Sequence, residues 1–351
     1  MRVAIVRSMS EPITVDVFAD PGLPTRTVTR ALEMAGENGD DRYQFTHHTT
    51  RIPLRPDGTL DMDAVRQWSR DDEVDLLIVI TEIPRRAGRL VKIAGLHIQE
   101  GAAIISLPAL GLLGLVTKLR RAMFDSLDAL AAQRMPSSGD RRIRFGVVHE
   151  QQSSTGPSVF ISPPRWWPGR ARLVLGMVRT NEPLSVIPKL SGVLAAAAAT
   201  GAFGIFYSSI WQMANALPDW RLGLITVMVV LTMVTWLIAS NRLWQRSRTL
   251  NSLTEATMYN ASTVATLVMA VALLYAALFV GILLTGLVVI ESGFMAETIG
   301  AEVSLRNYVD IAWLSASLGT VAGALGSNFD DPQDIRSLTH GRRHALRFPS
   351  E

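Results

Sequence analysis

One short segment of this chain groups residue types that could bind a polar small molecule. Residues 81–86, with the sequence TEIPRR, follow directly after the apolar run 75–81. A carboxylate at Glu82 beside two guanidinium groups, Arg85 and Arg86, could hold a polar or anionic ligand, because arginine donates paired hydrogen bonds to anionic oxygens. The simpler interpretation, which the sequence alone favours, is a solvated turn in which Glu82 is a local ion-pair partner.

Two other predicted strand ends would bring polar groups to the same place. In an open α/β sheet, ligands collect where the carboxyl ends of neighbouring parallel strands meet. The predicted strand 2–6 ends beside Arg7, and the predicted strand 102–107 contains Ser106. We therefore predict a ligand site formed by Arg7, Ser8, Ser10, Thr81, Glu82, Arg85, Arg86 and Ser106.

The sequence lacks the common motifs of catalysis and cofactor binding. It contains no GxxxxGK[ST], HExxH or GxSxG, and the residues after the first predicted strand, RSMSEP, do not form GxGxxG. Cysteine is absent, which removes disulfides, thiolate metal ligands and cysteine nucleophiles. The adjacent pair His47-His48 would point to opposite faces of a strand and so could not bind one ion. We predict no metal site and no cofactor, and favour a non-enzymatic role.

The elements that would position the ligand site form a predicted α/β domain over residues 1–160. Short apolar runs alternate there with helical patterns, which is typical of an α/β fold with a mostly parallel sheet. The run 75–81, DLLIVIT, is apolar on both faces and predicts a central strand. Further predicted elements are strands at 2–6, 43–54, 90–97, 102–107, 142–149 and 159–162, and helices at 26–37, 61–70 and 110–133.

Four segments in the second half are long and apolar enough to cross ~30 Å of hydrocarbon, which takes about 20 helical residues. They are residues 191–213, 222–240, 266–290 and 309–326. The last is the shortest and least hydrophobic, and its alternative is an amphipathic surface helix. The polar segment 249–263 is compatible with a helix that continues the third span. We predict an all-α transmembrane four-helix bundle over 186–326, followed by a basic cytoplasmic tail at 327–351.

The placement of arginine predicts the orientation of these spans, because cytoplasmic loops are enriched in Lys and Arg. The approach to the first span, the loop 241–248 and the tail are basic. The loops 214–221 and 291–308 carry one arginine each, and the second of these also carries three glutamates. With four spans, this pattern predicts that both termini lie on the cytoplasmic side of a bacterial inner membrane. The net charge of +3 is too small to indicate nucleic-acid binding.

Residues 161–185 predict an interfacial amphipathic linker. Its apolar side chains, Leu173, Val174 and Met177, could enter the acyl region, and the alternative is an ordinary solvent-facing connector. The residues predicted to meet the membrane surface and anionic lipid headgroups are Trp166, Trp167, Arg170, Arg172 and Arg179.

Small residues within the spans predict close packing of helices, inside one bundle or between the subunits of a homo-oligomer. They are Gly201, Gly204, Gly281, Gly286, Gly319 and Gly323. The cores of the first three spans contain no Asp, Glu, Lys, Arg or His, and Asp310 lies at the outer end of the fourth, where water can reach it. A proton-coupled transporter is therefore not expected.

Residues 176–211, GMVRTNEPLSVIPKLSGVLAAAAATGAFGIFYSSIW, resemble a group of uncharacterised actinobacterial membrane proteins. The likeness extends over the whole chain, including the basic tail. It implies a four-span inner-membrane protein with an N-terminal cytoplasmic α/β domain. Some members of the group bear a name that links them to methylene-tetrahydrofolate dehydrogenase. Here the glycine-rich cofactor loop is missing, and no catalytic lysine–tyrosine pair can be placed.

Three hypotheses of function follow. The leading one is a non-enzymatic membrane protein of the cell envelope, whose cytoplasmic α/β domain binds a ligand or partner while the bundle anchors and assembles it as a homo-oligomer. The second is an oligomeric channel or a lipid-handling transporter. The third is a membrane-tethered enzyme that uses the strand-end site near Glu82.

Overall fold

The computed structural model describes residues 12–37, 42–53, 61, 63–64, 67–68, 74–88, 90–131, 146–153, 156–163, 169–183, 191–244 and 253–326. These residues form two compact units. The first unit holds the described residues up to Thr180 together with 253–258, and the second holds Asn181 to Trp244 and Tyr259 to Gly326. In the described residues the first unit is an α/β domain and the second is helical, which confirms the prediction of an N-terminal α/β domain followed by helices.

The first unit is built on a seven-stranded sheet. In chain order its strands are β1 (Ile13–Ala19), β2 (Tyr43–Thr49), β3 (Leu76–Thr81), β6 (Ala94–His97), β7 (Ala102–Ser106), β8 (Val147–Ser153) and β9 (Gly156–Ser162), and a separate antiparallel pair is formed by β4 (Arg86–Ala87) and β5 (Leu90–Val91). The sheet order is β2-β1-β3-β7-β6-β9-β8. The strands β2, β1, β3 and β7 are parallel, and β6, β9 and β8 continue the sheet in antiparallel pairs.

Helices and apolar side chains enclose the central strand β3, as its sequence predicts. The helices of this unit are α1 (Leu23–Gly36), α2 (Leu115–Ala131) and α3 (Gly169–Thr180), and the described residues 63–64 and 67–68 are also helical. All six residues of β3 are buried. Leu119 and Met123 of α2 are fully buried as well, and a second apolar cluster includes Phe18, Val79 and Trp68. Burial on both faces explains the unbroken apolar run.

Several predicted boundaries were wrong for local reasons. The strand β1 was not predicted, and the predicted strand 2–6 lies outside the described residues. The predicted strand 90–97 is interrupted between β5 and β6. The predicted helix 110–133 begins only at Leu115, because Gly111 and Gly114 have φ values of 85° and 64°, which a right-handed helix does not accept.

The second unit consists of helices. They are α4 (Ser191–Phe206), α5 (Ser208–Ala216), α6 (Asp219–Ser240), α7 (Leu253–Val289), whose first turns belong to the first unit, α8 (Ser292–Ile299) and α9 (Leu305–Gly326). Three of them, α6, α9 and the stretch Ala256–Val289 of α7, are long and apolar enough to span a membrane. Three predicted spans are therefore confirmed by length and composition. The polar residues from Leu253 onward continue the third span, as its sequence suggested.

The predicted first span, 191–213, is not one straight helix. The axes of α4 and α5 differ by 84° across the break at Tyr207, whose backbone is extended. The indole Nε1 of Trp211 donates to the carbonyl oxygen of Gly204 at 2.9 Å, so the break leaves that carbonyl with a partner. The bent pair provides a fourth crossing only when its two halves count as one span, and the four-helix bundle is therefore not confirmed.

The short helix α8 was not predicted. The carboxylate of Glu291 accepts hydrogen bonds from the N–H groups of Gly293 (2.8 Å) and Phe294 (2.6 Å). These bonds begin the helix as an N-cap and hold the pKa of the Glu291 carboxyl below its usual value.

Glycines allow α4 and α9 to approach closely. A Cβ added to Gly319 would lie 2.5 Å from the carbonyl oxygen of Ala197, and one added to Gly204 would overlap the side chain of Ser315. Gly201 and Gly323 also lie at contacts between helices, with Ile282 and Val193 as neighbours.

Gly281 and Gly286 of α7 differ from these glycines. A Cβ on Gly281 would meet nothing within 4 Å, and one on Gly286 would meet only Ile290, 3.8 Å away on the same helix. Packing within the described part of the chain therefore does not require glycine at either position.

The hydroxyl of Tyr275 connects three membrane helices. It donates to the carbonyl oxygen of Trp313 (3.0 Å) and lies 3.0 Å from the Ser317 hydroxyl, both on α9. It also lies 3.1 Å from the hydroxyl of Thr226 on α6, which accepts from Trp313 Nε1 at 2.7 Å. Uncharged polar contacts of this kind stabilise helix association in lipid by about 0.6 kcal/mol each on average.

We predict that Gly319→Ala destabilises the helical unit and that Gly281→Ala does not. The new methyl group at 319 would press on a backbone carbonyl, and overpacking of this kind costs about 1–3 kcal/mol. Thermal melting of the detergent-solubilised full-length protein measures both variants. Equal melting temperatures for the two variants would contradict the packing of α4 against α9.

Candidate functional site

One buried carboxylate ties together the carboxyl ends of β1 and β3. Asp20 follows β1 and is 0% exposed. Its Oδ2 accepts from the Thr81 hydroxyl (2.8 Å) and from the Glu82 N–H (3.0 Å), and its Oδ1 accepts from the Ile52 N–H (3.1 Å). Burial of a carboxylate is tolerated because its oxygens accept hydrogen bonds. Asp20 therefore fixes both strand ends and the segment that follows β2.

The two hydroxyls assigned to ligand binding, those of Thr81 and Ser106, also serve this scaffold. They are paired across the β3–β7 register and are fully buried. The Ser106 hydroxyl donates to the Ile83 carbonyl oxygen at 2.7 Å, and Thr81 Oγ1 accepts from the Ile83 N–H at 3.1 Å. The structure brings Thr81, Glu82 and Ser106 to one edge of the sheet, as the sequence predicted, but both hydroxyls are engaged in the turn after β3.

The remaining predicted members of the ligand site, Arg7, Ser8 and Ser10, lie outside the described residues. In the described part of the sheet β3 lies between β1 and β7, and Asp20 follows the last residue of β1. The sequence VDVFADPG around it contains a strand pattern followed by a turn signal, and this pattern could have identified the segment.

The two arginines of the segment 81–86 point to different partners. Arg86 donates to the Gly88 carbonyl oxygen (2.7 Å) and to the Met258 sulfur (3.2 Å). Arg85 donates to the Ile104 carbonyl oxygen at 3.2 Å. Within the residues that the structure describes, no carboxylate forms an ion pair with Arg85. Burial lowers the pKa of Arg85 to about 10.

Lys92 places a second cation beside Arg85. Its Nζ lies 4.9 Å from the centroid of the Phe160 ring, and its main-chain N–H donates to the Arg85 carbonyl oxygen at 2.9 Å. Burial and, to a lesser extent, the charge of Arg85 lower the pKa of Lys92 to about 8. The domain therefore holds two neighbouring cations in a partly buried position.

Sequence analysis also missed a serine–histidine pair on β8 and β9. The His149 ring stacks on Phe160 with centroids 4.9 Å apart, and its Nε2 lies 2.8 Å from the Ser162 hydroxyl. A hydrogen-bonded serine and histidine can form part of a nucleophilic site. Ser162 is only 3% exposed, however, so its hydroxyl serves to position the imidazole.

Among the described residues, no group of three or more His, Asp and Glu side chains could hold a metal ion. His48 stacks on Phe18, and its Nε2 lies 3.5 Å from Asp16 Oδ2. Burial and the neighbouring His48 lower the pKa of His47. These histidines are therefore part of the packing at the edge strand β2.

The predicted interfacial helix α3 packs against the α/β domain. A Cβ on Gly176 would overlap the carbonyl group of Pro108, and Arg172 donates to the carbonyl oxygens of Ala109 and Leu110, each at 3.2 Å. Burial lowers the pKa of Arg172. One of the arginines assigned to lipid headgroups thus binds protein carbonyls.

Two apolar side chains of α3 were placed wrongly. Leu173 and Met177, expected to enter the acyl region, are both 0% exposed and are covered by protein. Arg170 and Arg179 are exposed, and contact of these residues with the membrane surface stays a prediction. The tryptophans at 166–167 lie outside the described residues.

Asp310 of α9 is buried instead of hydrated. It forms an ion pair with Arg306 at 3.7 Å, and Arg306 also contacts Asp219 of α6 at 2.6 Å. The acid in the fourth predicted span is therefore paired close to the N-terminal end of its helix.

No known protein family matches this chain, and neither a curated protein nor a solved structure shows detectable similarity to it. The function is therefore inferred from the geometry described above.

We predict that Asp20→Asn destabilises the α/β domain more than Asp75→Asn does. Asp75 also links β1 to β3, by accepting from Thr14, but it is exposed. The NH2 group of an asparagine at position 20 would face at least one buried N–H donor, so one hydrogen bond would be lost. The loss of a buried hydrogen bond costs about 1–3 kcal/mol. Thermal unfolding of the full-length protein measures the effect. A larger loss at the exposed Asp75 would disprove the clamping role of Asp20.

Proposed function

We propose that this protein is anchored in a bacterial plasma membrane and that its α/β domain, on the cytoplasmic side, binds a ligand or partner. The helical unit anchors the domain and assembles copies of the chain. One observation carries this proposal: Arg85, a half-buried residue just after the carboxyl end of β3, has a guanidinium without a carboxylate partner in the described residues. Ligands of α/β sheets collect at such strand ends.

Binding has more support than catalysis at this strand end. A catalytic hydroxyl needs a base within hydrogen-bond reach and access to substrate. Thr81 and Ser106 are fully buried and hydrogen-bonded within the turn after β3, and Asp20 accepts bonds from the same turn. The cationic groups are the ones that remain partly exposed. This contrast supports a non-enzymatic role over a membrane-tethered enzyme that uses Glu82.

The side of the membrane on which the α/β domain lies depends on the bent pair α4–α5. With α6, α7 and α9 alone, the two termini would lie on opposite sides. If α4 and α5 together cross once, both termini lie on the same side. The basic residues after α6 and the glutamates between α7 and α9 support a cytoplasmic position for the loop 241–248, and four crossings then place the α/β domain there too.

Assembly into a homo-oligomer has one supporting feature on α7. Around Gly281 and Gly286, the side chains Val280, Leu284 and Val288 are 50%, 59% and 86% exposed. Lipid covers such a surface as well as a second copy does. An oligomeric channel or lipid-handling transporter gains no specific support from the described helices, and we keep it as the second hypothesis.

We predict opposite labelling of two engineered cysteines in intact cells. The chain has no cysteine of its own, so single substitutions report without background. Glu33 on α1 and Glu297 on α8 are both exposed glutamates and form a matched pair. A membrane-impermeant maleimide should label Glu297→Cys and leave Glu33→Cys unlabelled until the cells are opened. Labelling of Glu33→Cys in intact cells would contradict the cytoplasmic position of the domain.

We also predict that at least one soluble metabolite raises the melting temperature of the detergent-solubilised full-length protein. A panel of nucleotides, sugar phosphates, amino acids, dicarboxylates and acidic peptides covers the ligand classes that arginine recognises. Arg85→Ala should abolish the shift, and Arg179→Ala, which removes an exposed arginine of α3, should preserve it. A panel without any effect, or a shift that survives Arg85→Ala, would contradict ligand binding at this strand end.

A further inference from the structure

A row of side chains crosses four strands on one face of the sheet. Ile104, Gly95, Phe160 and His149 are direct partners across β7, β6, β9 and β8. Directly opposed residues of antiparallel strands point to the same face. Because Gly95 has no side chain, the guanidinium of Arg85 lies over it, with Nη1 3.1 Å from the position of a Cβ. Arg85, the Phe160 ring and the His149 ring therefore lie side by side.

The two neighbouring cations on this face repel each other, and a bound anion would reduce that repulsion. Lys92 lies over Phe160 and is close enough to Arg85 for the two charges to repel each other. Both side chains are partly buried, and a like-charged pair in low dielectric disfavours its own charged state. A bound anion would offset the repulsion and give Arg85 an anionic acceptor, since its hydrogen bond within the described residues goes to the neutral carbonyl oxygen of Ile104.

At the other end of the row, the imidazole ring of His149 is held in a fixed position. The His149 ring is fixed from two sides, by stacking on Phe160 and by the hydrogen bond of its Nε2 with Ser162. Neighbouring strands are about 4.8 Å apart, so the Gly95 and His149 positions are separated by about 10 Å. That distance exceeds the reach of one bare phosphate group. A ligand that contacts both ends must carry further atoms.

We propose that this face of the α/β domain binds a phosphorylated molecule, with its phosphate oxygens between Arg85 and Lys92 and the rest of the molecule directed towards His149. This inference deepens the proposed ligand-binding function and rests on it. A planar guanidinium fork and a neighbouring ammonium are the groups that proteins use for phosphate oxygens. The phosphate could belong to a soluble compound or to a lipid headgroup, and the chemistry at Arg85 and Lys92 is the same for both.

The first arm of the test uses inorganic phosphate and pyrophosphate as soluble probes on the full-length protein in detergent, with sodium chloride at equal ionic strength as the reference. Titration calorimetry and thermal melting should both detect pyrophosphate. Lys92→Met should weaken pyrophosphate binding by about tenfold or more, as expected when one charge-assisted contact is lost. Without ligand, the same variant should melt at an equal or higher temperature, because the repulsion with Arg85 is gone.

The matched control is Lys118→Met. Lys118 is also a partly buried lysine close to an arginine, Arg172, and it donates to the carbonyl oxygen of Leu113. This variant should keep the pyrophosphate response of the wild type. An unchanged affinity in Lys92→Met, or an equal loss in both variants, would overturn the assignment of the site.

The pH dependence of pyrophosphate binding gives an independent test of the site. Among the described residues, the ionisable side chains on this face include Arg85, Lys92 and His149, together with His97 two positions after Gly95 and His48 in the same row on β2. The pKa of Lys92 is about 8 and that of Arg85 is about 10. The ratio of the wild-type affinity for pyrophosphate to that of Lys92→Met should therefore fall as the pH rises above about 8, because the ionisation of pyrophosphate itself affects both proteins equally. Identical pH profiles for the two proteins would overturn the role of Lys92.

The second arm distinguishes the two sources of phosphate. Nanodiscs of phosphatidylcholine are compared with nanodiscs that also contain phosphatidate, and pyrophosphate is titrated into both. Competition by phosphatidate, lost in Lys92→Met, would assign the site to a lipid headgroup. Pyrophosphate binding that is equal in both nanodiscs would assign it to a soluble compound.

Failure of this proposal is distinguishable from failure of the proposed function. If neither pyrophosphate nor phosphatidate binds while another compound of the metabolite panel gives a shift that depends on Arg85, the phosphate assignment is wrong and the ligand-binding function stands. If no compound and no lipid binds, both are wrong.

Discussion

A polar group that is buried must find a partner, and this requirement shapes both units of the chain. In the α/β domain, Asp20 accepts three hydrogen bonds and thereby holds the ends of β1 and β3 in one arrangement. In the helical unit, the hydroxyl of Tyr275 reaches α6 and α9, and the indole of Trp211 serves the carbonyl of Gly204 at the end of α4. Since lipid offers no alternative partner, these contacts define how the helices meet.

The fold follows from the sequence wherever a physical constraint acts locally. An unbroken apolar run identifies β3, because burial on both faces leaves no room for polar residues. Helix length and apolar composition likewise identify α6, α7 and α9, because a helix that crosses lipid must be both long and apolar. The break at Tyr207 was not predicted in this way, because the segment 191–213 contains neither proline nor a charged residue, although the polar residues Ser208 and Ser209 follow the break directly. The bend accompanies contacts that only the folded chain supplies, such as the one from Trp211.

The candidate site was predictable in its position and not in its chemistry. The segment 81–86 does follow a central strand, as its sequence indicated. The role of Asp20 was missed because β1 was not recognised as the neighbour of β3. The row from Gly95 to His149 was missed because it depends on the register of three strands, of which β6 and β9 are far apart in the chain. A glycine in a strand is an ambiguous signal, and only the structure shows that Gly95 makes room for an arginine.

The bend at Tyr207 also has a consequence for how the chain crosses the lipid. With 16 residues, α4 is about 24 Å long, whereas α6, with 22 residues, is about 33 Å long. A typical hydrocarbon layer is about 30 Å thick. The exposed aromatic rings of Phe203, Phe206 and Tyr207 gather near the end of the shorter helix. Alone, α4 is therefore too short to cross that layer, and a crossing by the first predicted span needs residues of α5 beyond the bend.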